Sequence, residues 1–144
     1  VDAGDVTVIN DAYNANPASM LAAADVLAEI DAARRVLIAG DMLELGPGEV
    51  ELHRRTGREL AARGVDLLIG VGRLGRYIAR AAADAGTSAE AFDSVDEAVS
   101  GVTDCLRAGD AVLVKGSRAL RMERLIAPIV AAFAPGEIDK GSAR

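Results

Sequence analysis

The chain has 144 residues and a net charge of −6, enough for one domain with its own core but no basic field to hold nucleic acid or anionic lipid. One cysteine and one histidine exclude a disulfide framework and a Cys/His metal site. No apolar run approaches the roughly 20 residues of a membrane-spanning helix. Half the residues are apolar but only 3% are aromatic, so the core is expected to be aliphatic. The opening residues lack the basic-then-apolar pattern of a secretory signal, and the chain is expected to be cytoplasmic.

Strand-like and helical runs alternate from the start. Residues 6–9 (Val-Thr-Val-Ile) predict a strand, and a polar turn follows, rich in side-chain donors and acceptors: Asn10, Asp11, Tyr13, Asn14 and Asn16. Asn16 suits a helix N-cap and Pro17 the first helical position, where its missing N–H is no loss. Met20, Ala23, Ala24, Leu27 and Ile30 recur at helical spacing, predicting a helix from about 17 to 31. Residues 35–39 predict a second strand ending at Gly40-Asp41. A loop with Gly46, Pro47 and Gly48 leads to a helix through His53, Thr56 and Leu60. A third strand is expected at 66–70, followed by a helix marked by Leu74, Ile78, Ala81 and Ala82, and a short strand at 89–92.

Ser94 and Glu97 have capping-box spacing and start a helix whose stripe runs from Val95 to Leu106. Cys105 sits in that helical pattern and is expected to be a buried small hydrophobe. After Gly109-Asp110 a strand is predicted at 111–114. The last helix carries Met122, Leu125, Ile126, Ile129, Val130 and Phe133, and Pro128 should kink or split it. Residues 135–144 are polar and glycine-containing and are expected to fray, leaving one domain over 1–134. Repeated strand–helix units with wholly apolar strands predict an α/β, Rossmann-like, doubly wound and mostly parallel sheet with helices on both faces.

Ligands of such sheets bind at the carboxyl edge of the strands, so the polar residues there are the candidates. Gly70-Val71-Gly72-Arg73-Leu74-Gly75 matches G-x-G-x-x-G after a strand. It lies in the third strand–helix unit and contains bulky Arg73 and Leu74, so its glycines are read as serving a tight turn and close helix packing. A dinucleotide module is the alternative. No Gly-x-x-x-x-Gly-Lys-Ser/Thr occurs, so the chain has no phosphate-cradling P-loop. Asp41 and Glu44 are the one carboxylate pair near a strand end, with the chemistry for acid–base work or magnesium binding. Lys115, Gly116, Ser117 and Arg118 combine two cations, a hydroxyl and a flexible backbone, a set suited to an anionic group. A solvated basic turn is the bland alternative. His53 is expected to be structural, and Arg121 and Arg124 to lie on the surface.

Three stretches, in order, resemble the Mur ligase family: Asp11-Ala12-Tyr13-Asn14-Ala15-Asn16-Pro17 with Ser19-Met20, Gly40-Asp41-Met42-Leu43-Glu44-Leu45-Gly46, and Leu113-Val114-Lys115-Gly116-Ser117-Arg118. The resemblance is to the branch that adds D-alanyl-D-alanine to a UDP-N-acetylmuramoyl-tripeptide in peptidoglycan precursor synthesis, and to its C-terminal domain only. It implies a Rossmann-like fold, one strand of which can run antiparallel. It implies ATP and Mg2+ as requirements of the full-length enzyme, with the P-loop and metal ligands in another domain and no catalytic residue in this one. By resemblance Asp11 meets the ATP ribose on domain closure, with Tyr13 and Asn14 continuing that edge. Lys115, Gly116, Ser117 and Arg118 receive the dipeptide, and Asp41 belongs to a loop shaping its pocket. The family's Gly-Arg-x-Glu segment, normally a little upstream, does not precede Asp11 here, so part of the nucleotide contact is expected to be missing. A diaminopimelate- or lysine-adding relative would carry Asp-Tyr-Ala-His-x-Pro at the first stretch. Folylpolyglutamate synthase would share the fold.

Overall fold

A computed structural model of the chain describes residues 2–3 and 5–133. Six strands form one sheet: β1 (Asp2–Ala3), β2 (Val6–Asp11), β3 (Arg34–Gly40), β4 (Leu67–Val71), β5 (Ser88–Phe92) and β6 (Asp110–Lys115). Their spatial order is β1-β2-β6-β3-β4-β5. All the pairings from β2 to β5 are parallel, and only β1 runs antiparallel, against β2 at the edge. The expected doubly wound sheet is therefore present. The tail expectation falls on residues 135–144, outside the described residues.

The helices are α1 (Pro17–Ala28), α2 (Glu49–Ala61), α3 (Gly75–Asp84), α4 (Val95–Gly101) and α5 (Ile126–Phe133). Strand alternation divides the core into two layers. Leu37, Ala39, Leu68 and Leu113 face α1–α3, meeting Met20, Leu27, Leu60 and Ile78. Val36, Ile38, Ile69 and Val112 face the other side, meeting Val95, Ala98, Leu125 and Ile129 from α4 and α5 and the turns beside them. No helix among the described residues is long and apolar enough to cross a membrane.

Helix α1 starts as its sequence predicts: the Asn16 side chain accepts from the Ser19 amide and Ser19 Oγ from the Asn16 amide, with Pro17 in the first position. It stops at Ala28, two residues before Ile30, the end of its apolar stripe. The chain must turn there to enter β3, and the turn is held by Arg35 donating to the Ile30 carbonyl at 2.7 Å and Ala33 N–H to Gly109 at 2.9 Å. The predicted helix from Ser94 also shortens. Gly101 packs against the Phe92 ring so tightly that a Cβ would stand 2.7 Å from Cε1, and residues Val102–Cys105 tighten into a 3-10 turn. The stripe survives because Val102 and Leu106 stay buried. Pro128 splits the last helix as expected: Met122–Leu125 form a 3-10 turn and α5 begins at Ile126, placing the proline in a first turn that needs no N–H donor.

Candidate functional site at the carboxyl edge

Parallel register places Asp11 beside Lys115, and Lys115 beside Ala39, in one row across the ends of β2, β6 and β3. The chain leaves β2 and β3 toward the α1–α3 face but leaves β6 toward the α5 face, so this row lies at the switch point where α/β sheets bind ligands. The strand β2 runs on through Asn10 and Asp11, two residues beyond the predicted end. Asn10 makes an Asx turn, its Oδ1 accepting from Ala12 N–H at 3.1 Å.

Lys115 is only 4% exposed. Its Nζ donates to Asp11 Oδ2 at 3.1 Å and to the Asn14 carbonyl at 2.8 Å. The Asp11 side chain is 43% exposed, so the pair is buried at the cation and open at the anion. Asn14 turns its own Oδ1 back to Ala15 N–H at 2.9 Å, and Tyr13 stands 60% exposed beside them. The two cations expected in the 115–118 turn thus resolve into one buried, engaged lysine and one exposed arginine, Arg118, which opens a short 3-10 turn. Gly116 allows the chain past Met122, whose Cγ would lie 2.6 Å from an added Cβ.

Ser117 fastens this turn to the loop after β3. Its Oγ donates to the Asp41 carbonyl at 3.0 Å and accepts from Leu43 N–H at 3.2 Å. Asp41 is 7% exposed, and its Oδ1 accepts from the amides of Leu74 and Gly75 at 2.8 and 2.7 Å. Those amides open α3, where a dinucleotide pyrophosphate would have to sit. The protein's own carboxylate fills that place. The glycines fit around it: Gly72 adopts φ +107°, an added Cβ there would stand 2.5 Å from Asp41 Oδ1, and one on Gly70 would overlap the Gly75 carbonyl oxygen. Tight turn and close packing, the preferred sequence reading, account for all three glycines.

Asp41 and Glu44 do not act as a pair, since Asp41 is buried in these bonds while Glu44 is exposed with φ 63°. Among the described residues no cluster of three His, Cys, Asp or Glu side chains is placed to hold a metal. His53 is fully buried; its Nε2 accepts from Met42 N–H at 2.9 Å and its Nδ1 donates to the Glu49 carbonyl at 2.6 Å. It holds the 41–45 loop to α2, a structural role, as expected. A shallow groove of about 280 Å³ opens beside Asp41, lined by Gly72, Arg73, Ser94, Leu120 and Arg124. Two features were invisible in the sequence: the Lys115–Asp11 pair, 104 residues apart, and the Asp41 cap on α3. The one local hint was an acidic residue following a strand that ends in glycine.

Residues 1–118 match the family described as Mur ligase, glutamate ligase domain. The chain is 30% identical over 128 residues to the UDP-N-acetylmuramoyl-tripeptide–D-alanyl-D-alanine ligase of Bacillus subtilis, covering 87% of this chain and 28% of that protein. Among solved structures it resembles MurF from Acinetobacter baumannii, with a TM-score of 0.81 and 32% identity over 90% of this chain and 29% of that one. The fold is also that of MurF from Thermotoga maritima, solved with ADP: TM-score 0.74, 22% identity, 92% of this chain and 30% of that one. The chain therefore spans less than a third of the length of these relatives. Fold, motif order and edge geometry agree, and the chain belongs to the Mur ligase family as its glutamate ligase domain.

Proposed function

We propose that this chain is the C-terminal domain of an ATP-dependent, cytoplasmic ligase that joins D-alanyl-D-alanine to a UDP-N-acetylmuramoyl-tripeptide. The domain presents the dipeptide-binding surface and closes over ATP. The observation that carries the reading is the row at the switch point, where the Asp11, Asp41 and Lys115–Arg118 stretches of the three family motifs meet across adjacent strand ends. Asp11 Oδ1, the oxygen not held by Lys115, accepts from a ribose hydroxyl, and Tyr13 and Asn14 flank it. Arg118 meets the dipeptide carboxylate, Gly116 gives it backbone access, and Ser117 with Asp41 sets the turn's position. Lys115 acts through Asp11 rather than as a free cation.

The phosphates of ATP find no place on this chain, because Asp41 occupies the α3 N-terminus and no P-loop is present. In this reading the phosphate cradle and the Mg2+ ligands are supplied by the rest of the enzyme, and this chain alone does not catalyse. A backbone-amide NMR titration tests the reading. D-alanyl-D-alanine is expected to move residues 116–118 and ATP residues 11–14, while NAD, which shares the ribose of ATP, is expected to leave residues 70–75 unmoved. NAD shifts centred on residues 70–75 would overturn it in favour of a dinucleotide module, and no shift with the dipeptide would remove the acceptor role.

A further inference from the structure

Among the described residues the sheet ends on β5, which is bonded to β4 alone and leaves its outer backbone edge without a neighbouring strand. Exposed edges are ordinarily blunted by lysine, proline or a bulge. Ser88-Ala89-Glu90-Ala91-Phe92 has no lysine or proline, and its ladder to β4 runs unbroken from Ser88 to Phe92. Beside it lies an open groove of about 740 Å³ lined by Ala89 and Ala91 from the strand, Arg76, Tyr77 and Arg80 from α3, and Arg54 from α2. The strand's small side chains keep this groove open. Its one charged residue, Glu90, alternates onto the opposite face from the two alanines, yet it also borders the groove at the strand edge.

The cations in the groove are available. Arg76 and Arg80 are exposed, and among the described residues neither has a carboxylate within ion-pair distance. Arg76 is instead oriented by the Arg73 carbonyl at 3.1 Å and by Tyr77, whose ring centroid lies 5.1 Å from the guanidinium carbons of both Arg76 and Arg54. The groove's other two acids, Asp84 and Asp93, are the last residue of α3 and the residue after β5, so they mark the groove's ends. Two helical residues four apart rise about 6 Å, and two strand residues of one face are separated by about 6.7 Å. Alternate side chains of an added strand would therefore match Arg76 and Arg80.

We propose that the β5 edge is a docking site for an extended acidic segment of a partner protein, which adds as a further strand and sets carboxylates at alternate positions against Arg76 and Arg80. A second copy of this chain fits poorly. Antiparallel pairing of β5 with its own image would bring α3 beside α3 and oppose the arginines to their images.

The test uses a fluorescein-labelled peptide, Thr-Glu-Val-Glu-Val-Glu-Thr, and its counterpart with lysine for each glutamate. The acidic peptide is expected to bind about tenfold more tightly than the basic one, weakening with salt, and to slow amide exchange in β5. Combined Arg76→Glu and Arg80→Glu should reverse the preference, a readout that general unfolding would not produce. Equal binding of the two peptides, protection elsewhere than β5, or no binding at millimolar peptide would overturn the proposal. Protection of β5 in a dimer without peptide would assign the edge to a second copy instead.

Discussion

Lys115 and Asp11 share a hydrogen bond of 3.1 Å across neighbouring strand ends, with the lysine buried and the aspartate half exposed. That asymmetry decides which partner matters more. Without Lys115, Asp11 turns to water and only the Asn14 carbonyl loses a donor. Without Asp11, a buried ammonium keeps a single carbonyl partner. Lys115→Met is therefore expected to cost about 1 kcal/mol and Asp11→Ala about 2–3 kcal/mol, read as denaturant midpoints at constant slope. The reverse order would show that Asp11 is the buried member in solution.

Asp41 supplies α3 with the negative charge its first amides call for. Asp41→Ala should destabilise by about 2 kcal/mol, and Asp41→Asn by less, since its oxygen still accepts. Sulfate should then raise the melting temperature of the alanine variant more than that of the unsubstituted chain, by occupying the vacated helix end. An equal response in both would mean that Asp41 does not fill an anion site.

Gly57 sits in the middle of α2, where alanine ordinarily favours helix by about 1 kcal/mol. Here a Cβ would overlap the Ile78 carbonyl oxygen of α3 and stand 3.0 Å from the Ala81 side chain. Backbone cannot step aside as a flexible side chain does, so the clash wins. Gly57→Ala is expected to destabilise by about 2 kcal/mol or more despite the better propensity. A stabilised variant, measured by thermal melting, would show that α2 and α3 are not packed this closely.

The Cys105 thiol is pushed above its ordinary value, first by burial and then by the nearby charges of Glu90 and Asp104, with Arg34 opposing. The thiolate is the reactive form, and a raised value shrinks its fraction near neutral pH. Alkylation by iodoacetamide should be slower than for glutathione, with the rate–pH profile displaced upward, and denaturant should abolish the difference. A folded-state rate equal to that of the free thiol would contradict the burial.

Much of this protein was legible in the sequence by itself because the signals are local. Short, largely apolar runs identify the strands, Asn16 with Ser19 and Ser94 mark helix starts, and Pro128 divides the last helix, each through chemistry within a few residues. Motif order placed the candidate residues at strand ends. Tertiary structure decided what those residues touch. The helix starting at Pro17 ends where the connection into β3 requires, short of its own stripe. The helix starting at Val95 tightens where Gly101 meets Phe92. Lys115 became a buried partner of Asp11, and Asp41 a helix cap, because parallel register brings together residues far apart in the chain. Hydrophobic periodicity carries no record of that register, since sheet order depends on crossover connections rather than on any one strand's pattern.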